Sequence, residues 1–142
     1  MAIRAVIDTN IFVGACLGVG TASKVIRACL DDQFVALMGA TLLTEYEDIL
    51  SRFDLFTNCR LSFKEREELL DIFLAKCEWT RIYFGWRPNV RDEGDNHLIE
   101  LAVAGGAQFL VARNLRDFVT MELKFAQLQI LSPEAFLKEL QH

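Results

Sequence analysis

The sequence predicts an α/β fold in which a central parallel β-sheet is flanked by helices. Short apolar, β-branched segments alternate with segments of helical periodicity along the whole chain, which is the pattern of repeated β-α-β units. The chain has 142 residues, of which 52% are hydrophobic and 25% charged, so it can bury a core. We therefore expect a single domain spanning residues 1–142.

Composition and charge narrow the class of protein. The formal net charge is -5, so any binding of nucleic acid has to be local or mediated by a metal ion. Asp8 interrupts the apolar N-terminus, and no stretch approaches the roughly 20 uncharged residues that a bilayer requires. The four cysteines form no CxxC pair, which favours reduced, buried thiols. These features predict a cytoplasmic protein without a membrane segment.

The elements can be placed along the chain by hydrophobic periodicity and by their end signals. Strands are predicted at residues 3–7, 33–38, 80–84, 108–112 and 128–131. Helices are predicted at residues 21–30, 40–51 and 62–76, within 91–104, and after Ser132-Pro133. Ser62 and Glu65 predict a capping box, and Gly105-Gly106 a helix end. Residues 11–20 contain three glycines and are predicted to be a flexible loop, because no Lys-Ser/Thr pair follows them as in a phosphate-binding loop.

Three acids lie where the predicted sheet would form a cleft. Asp8 follows the first strand, Asp95 opens a helix, and Asp117 follows the strand at residues 108–112. Ligands of open α/β sheets bind at the carboxyl ends of the strands. Asp95 shares a helical face with the apolar residues at i+3, i+4 and i+7, so it is directed toward the protein interior.

Each acid also has a purely structural interpretation. Asp95 is equally well the third residue of a capping box begun by Asp92, and Asp117 equally well caps a short helix. Asp8 can form an Asx-type turn with the two residues that follow it. On the helix at residues 40–51, periodicity leaves both Glu45 and Glu47 as candidates for the cleft, and a single glutamate is most often a solvated surface residue.

Several carboxylates in one cleft would imply a bound cation. They repel each other and raise one another's pKa values unless a positive charge neutralises them. Ligation by oxygen atoms alone selects Mg²⁺ or Mn²⁺ over zinc. Such an ion is suited to activating water for attack at phosphorus, so the predicted reaction is phosphodiester hydrolysis.

Four segments together resemble the motifs of PIN-domain ribonucleases, in the same order and at suitable spacing. They are IDTNIF at residues 7–12, LTE at 43–45, RDEGDN at 91–96 followed by Leu98 and Ala102, and LVARNLRDF at 110–118. The likeness spans essentially the whole chain, including LSPEAFL at residues 131–137. It is strongest with the small prokaryotic members that are described as toxin components of toxin–antitoxin pairs.

The resemblance implies roles for individual residues. The metal ligands and catalytic acids would be Asp8, Glu45, Asp95 and Asp117, which selects Glu45 over Glu47. Supporting hydrogen-bonding residues would be Thr9, Asn10, Asn96 and Asn114. The resemblance also implies Mg²⁺- or Mn²⁺-dependent cleavage of single-stranded RNA, an antitoxin partner and a homodimer.

Positive charge near the cleft would be needed to hold RNA. The candidates are Arg87, Arg91, Arg113 and Arg116, with Trp86 available to stack on a base. The alternative is that these are ordinary solvated loop residues. His97 could lie near the cleft, but it is more often a helix-surface residue, and it is not expected to be a general base.

Two other functions are compatible with the same acids. Ala112 stands where the family commonly has Thr or Ser, which keeps open a catalytically silent PIN-like domain that binds RNA or protein. The second is a phosphotransfer domain in which Asp8 accepts the phosphoryl group. A dehalogenase-like version of that domain would need an acid at position 10, where this chain has Asn10.

Overall fold

The computed structural model describes residues 2–82, 96–113 and 128–141 of the chain. Its strands are β1 (Arg4–Ile7), β2 (Val35–Met38), β3 (Glu78–Trp79), β4 (Phe109–Val111) and β5 (Gln129–Leu131). Its helices are α1 (Thr9–Cys16), α2 (Gly20–Leu30), α3 (Ala40–Leu50), α4 (Phe63–Lys76), α5 (Asn96–Ala104) and α6 (Pro133–Leu140). A short 3-10 helix, Phe53–Phe56, lies between α3 and α4.

The five strands form one parallel sheet with the order β3-β2-β1-β4-β5. The chain runs outward from β1 through β2 to β3, then returns to place β4 on the other side of β1. The strand order therefore reverses between β1 and β4. In open α/β sheets this reversal opens a crevice at the carboxyl ends of the strands, where ligands bind. The predicted α/β class with a central parallel sheet is confirmed.

Helices cover both faces of the sheet. Crossovers between parallel strands are right-handed, so connections that run in opposite directions along the sheet lie on opposite faces. Accordingly α5 packs on β1, β2 and β4, while α2 contacts α4 and α6. The buried strands and the inner faces of these helices make one hydrophobic core. This packing fixes the direction in which each strand delivers its last residue to the crevice.

The predicted helix ends are present. Ser62 Oγ accepts a hydrogen bond from the Glu65 N–H at 3.1 Å, and a Glu65 carboxylate oxygen accepts from the Ser62 N–H at 2.9 Å. Ser132 Oγ accepts from the Ala135 N–H at 3.1 Å, with Pro133 in the first turn of α6. Gly106, just after α5, has a φ of 66°, a left-handed conformation that favours glycine.

The prediction that residues 11–20 form a flexible loop is wrong. They contain most of α1 and the first residue of α2, because Ile11, Phe12 and Cys16 bury their side chains in the core. Position 14 in α1 favours glycine because α2 passes close to it. An added Cβ atom there would lie only 3.0 Å from Ala22 Cβ of α2. The break between the helices is at Gly18, whose φ is 85°. The glycines serve a close helix contact and one turn rather than flexibility.

The observed third strand, β3, comes before the strand predicted at residues 80–84. It is formed by Glu78 and Trp79, which pair with Leu37 and Met38 of β2. Thr80 then donates its N–H to the Met38 carbonyl at 2.8 Å, but residues 80–82 are not strand. Residues 83–84 of that prediction lie outside the described part. The short, exposed edge strand carries little hydrophobic pattern, so its pairing with β2 decides its position.

Two predictions from composition can be compared with the described residues. Within them, no single helix is long and apolar enough to span a membrane; α1 and α2 reach that length only together, across a bend of 106°. All four cysteines are free thiols. Cys16 and Cys29 are buried, and Cys59 and Cys77 are partly buried.

Candidate functional site

Asp8 lies in the crevice where the strand order reverses. It is the first residue after β1, and its N–H donates to the Val111 carbonyl of β4 at 3.0 Å. It occupies the N-cap position of α1, but its side chain makes no capping hydrogen bond, so the Asx-type interpretation does not describe it. One carboxylate oxygen accepts from Thr9 Oγ1 at 3.3 Å. The Asp8 carboxylate is therefore available to a ligand.

Helix α3 brings Glu45 to the same crevice. Tyr46 is fully buried, and its hydroxyl donates to the Ile7 carbonyl at 2.7 Å, which ties α3 to the end of β1. Tyr46 is adjacent to Glu45 in the sequence, and Ile7 is adjacent to Asp8. The hydrogen bond therefore joins the neighbours of the two acids. Glu47, in contrast, lines a groove between α3 and α4. Of the two glutamates that periodicity left open, the structure brings Glu45 to Asp8.

The electrostatics of Asp8 reflect this placement. Burial raises the pKa of its carboxyl above the usual 3.8, and the negative charge of Glu45 raises the pKa further. Hydrogen bonds from the Thr9 N–H and hydroxyl lower the pKa of Asp8, and so does the electrostatic effect of the nearby His97. A half-buried carboxylate held beside a second carboxylate is an unfavourable arrangement in the absence of a cation.

His97 also faces this pair of acids. Its side chain is only 10% exposed, and Nε2 contacts a carboxylate oxygen of Glu45, although not in well-directed hydrogen-bonding geometry. Nδ1 has no hydrogen-bonding partner among the described residues. Of the two placements left open for His97, the structure has the one near the cleft rather than the one on the helix surface. The sequence did carry a signal for this placement. Leu101 is apolar and lies four residues after His97, on the same face of the helix, and the structure buries it.

The remaining predicted site residues fall into two groups. Within the described chain, Thr9 is buried, Asn10 is exposed, and Asn96 is the first residue of α5. Arg113 is exposed just after β4, and its guanidinium lies 3.1 Å from where a Cβ on Gly14 would be. The rest lie outside the described residues: Trp86, Arg87, Arg91, Asp95, Asn114, Arg116 and Asp117.

The described part of the chain contains half of the predicted acid set. Across residues 2–82, 96–113 and 128–141, no three His, Cys, Asp or Glu side chains are grouped so as to hold a metal ion. Asp8 and Glu45 are brought together, while the positions of Asp95 and Asp117 are not described. Ala112 is fully buried, and its N–H donates to the Leu131 carbonyl at 3.0 Å.

The parallel sheet and the acids at its point of reversal define an α/β domain with an acidic crevice. Comparison with known families identifies that domain, because a family model described as PIN domain matches residues 4–116. The chain therefore belongs to the PIN domain family, which confirms the resemblance found in its motifs.

The chain was also compared with solved structures and with curated proteins. The fold is similar to that of a chain in the crystal structure of VapBC2 from Rickettsia felis bound to a DNA fragment from their promoter. The two chains are 17% identical, with a TM-score of 0.62 over 92% of this chain and 98% of that chain. No curated protein matches the sequence.

Proposed function

We propose that this protein is a metal-dependent endoribonuclease that hydrolyses single-stranded RNA, and that it is the toxin of a toxin–antitoxin pair. The observation that carries the proposal is the pairing of Asp8 with Glu45 at the reversal of the sheet, where the Glu45 carboxylate and burial make the charge of Asp8 costly. Carboxylate oxygens are ligands that Mg²⁺ and Mn²⁺ prefer, so the donor chemistry of this pair fits such an ion.

The chain's own residues divide the task between binding and orientation. Asp8 and Glu45 would hold the ion, with Asp95 and Asp117 completing the set by motif. When bound, a divalent ion supplies a Lewis acid that binds a phosphate oxygen and lowers the pKa of a coordinated water. Thr9 orients one oxygen of Asp8 through its hydroxyl, and Tyr46 keeps α3 at the end of β1.

RNA would approach the carboxyl edge of the sheet. Arg113 supports this direction because it is exposed and follows β4, the strand next to Asp8. A cation there offsets the repulsion between the acidic crevice and the phosphate backbone. By motif, Arg87, Arg91 and Arg116 would add further charge, Trp86 would stack on a base, and Asn10, Asn96 and Asn114 would hold waters or ligands.

The proposal includes protein partners. The similar solved chain comes from a complex named VapBC2, and the PIN motifs of this sequence resemble those of toxin components. We therefore propose an antitoxin partner, a homodimeric toxin and action in the cytoplasm. Exposed apolar side chains on the 3-10 helix and α4 offer surface for such contacts: Phe53, Leu55, Phe63 and Ile72.

The decisive assay is cleavage of a mixed pool of single-stranded RNA by the purified protein with Mn²⁺, with Mg²⁺ and with chelator. We expect cutting in the presence of either ion and none with chelator. Asp8→Asn should abolish it, and Asp48→Asn, an exposed acid on α3 that is salt-bridged to Arg52, should not. Folded protein that binds Mn²⁺ without cutting any RNA would support the silent PIN-like domain instead.

A further inference from the structure

His97 is an unusual residue for its position. It is a polar side chain that is nine-tenths buried beside two carboxylates; Nε2 lies against the Glu45 carboxylate, and Nδ1 lacks a hydrogen-bonding partner among the described residues. Buried polar groups are normally satisfied, and an exception of this kind calls for an explanation. None of the four motifs assigns it a role, since the third passes from Asn96 to Leu98 and Ala102 without including position 97.

We infer that His97 is a positioning residue that fixes the carboxylate of Glu45 for binding a divalent cation. The inference rests on the proposed function, because it gives Glu45 a cation to bind. It adds a residue outside the acid set, contributed by α5 rather than by a strand end.

The need for such a residue follows from Glu45 itself. Its side chain is 41% exposed and has several rotatable bonds, so a bare glutamate in the middle of α3 would sample many orientations. His97 Nε2 contacts Oε2 of Glu45, and Glu45 makes no other hydrogen bond or ion pair with the described residues. Holding one oxygen against the imidazole leaves the other oxygen free to face Asp8.

Helix α5 is well placed to hold that imidazole still. Leu98, Ile99 and Leu101 are buried, and the helix packs on β1 and β4, the two strands that border the crevice. His97 therefore sits on a rigid element, whereas Glu45 is partly exposed. Contacts that orient a ligand in this way typically raise metal affinity about 10–100-fold.

The test is titration calorimetry with Mn²⁺ alone, without RNA, on a four-protein cycle: wild type, His97→Leu, Glu45→Gln and the double variant. We expect His97→Leu to weaken Mn²⁺ binding about 10–100-fold in the wild-type background and to have almost no effect when Glu45 is already Gln. His97→Gln, whose amide can donate to the same oxygen, should restore most of the affinity. Leu101→Val, a core change on the same helix, should lower Tm and leave the affinity unchanged.

An equal loss of affinity in both Glu45 backgrounds, or no loss in either, would overturn the inference. A wild-type protein that binds no Mn²⁺ would overturn the proposed function and with it the role of His97 in a metal site. The same four proteins, compared for urea stability without metal, separate the two failures. Coupling between positions 45 and 97 there shows that the contact exists even where the metal does not bind.

Discussion

The hydroxyl of Tyr46 donates to the carbonyl of Ile7 at 2.7 Å, and this bond joins the residue after Glu45 to the residue before Asp8. Tyr46 is fully buried, and its ring packs edge-on against Phe12 with a centroid distance of 5.4 Å. Burial raises the pKa of its hydroxyl well above 10, so the group is a hydrogen-bond donor at neutral pH. One hydrogen bond thus connects the backbone of the first strand to the helix that carries the second acid.

Removing that hydroxyl should therefore affect both stability and the site. Tyr46→Phe keeps the ring and leaves the Ile7 carbonyl without its donor, which we expect to cost about 1–3 kcal/mol of unfolding free energy in urea denaturation. Thr44→Val is the control, because that exposed hydroxyl on α3 also donates to a carbonyl, Ala40 at 3.0 Å. Its effect should stay within about 0.5 kcal/mol. Equal effects of the two substitutions would show that the Tyr46 bond is not a special constraint.

Asp8 should reduce the stability of the metal-free protein. Because its folded-state pKa is raised above the usual 3.8, the folded protein binds this proton more tightly than the unfolded chain does. This contribution to stability is greatest at low pH and is lost as pH rises through the folded-state pKa. At pH 7 without metal, Asp8→Asn should raise Tm, and Asp48→Asn should not. A saturating divalent ion, at about 100 times its Kd, should stabilise the wild type by about 2.7 kcal/mol. A lower Tm in Asp8→Asn would show that the carboxylate is already neutralised within the chain.

Three of the four cysteines should resist alkylation, namely the buried Cys16 and Cys29 and the partly buried Cys77. Burial raises the pKa of Cys16 and Cys77 to about 12 and that of Cys29 to about 11. Only the thiolate reacts, so at pH 8 these thiols should react with iodoacetamide at least about a hundredfold more slowly than in urea. Mass spectrometry of a time course would measure each site. Fast labelling of all three in the folded protein would contradict their burial.

The capping box of α4 predicts a pH-dependent increment of stability. Ser62→Ala removes the acceptor for the Glu65 N–H and should cost about 1 kcal/mol in urea denaturation at pH 7, whereas Ser62→Asp should restore most of it. Hydrogen bonds from Ser62 lower the pKa of Glu65 below the usual 4.5. The carboxylate's contribution is therefore present above pH 4.5 and is lost as pH falls through the lowered value. Glu65→Gln should reduce the difference in stability between pH 7 and pH 3.

Local chemistry made much of the fold predictable. The Ser62 and Ser132 caps, the Gly105-Gly106 helix end and the apolar strands around Asp8 depend on neighbouring residues, and each is present. Helix α1 was not predicted because its Gly14 indicates a loop when the sequence is considered alone. In the structure Gly14 allows close contact with Ala22, and that contact exists only once α2 has packed against α1. The edge strand was misplaced because its register depends on β2 rather than on its own pattern.

The site was less predictable than the fold because it depends on tertiary contacts. Periodicity placed Asp8 at a strand end but could not choose between Glu45 and Glu47. The family motif selected Glu45, and the structure places it beside Asp8 through the bond between Tyr46 and Ile7. The burial of His97 follows from the packing of α5 on the sheet, which a single histidine in a helix does not indicate.

A matched pair of glutamate variants tests most directly whether the pair formed by Asp8 and Glu45 performs metal-dependent cleavage, as proposed. Rates of cleavage of one single-stranded RNA in Mn²⁺ would be compared for wild type, Glu45→Gln and Glu47→Gln. Both variants remove one negative charge from α3, but only Glu45 lies beside Asp8, since Glu47 lines the groove against α4. We predict a loss of about 100-fold or more for Glu45→Gln, because a removed ligand should cost at least as much as a residue that only orients one. We predict no loss for Glu47→Gln. Equal rates for the two variants would contradict the assignment of the acid site.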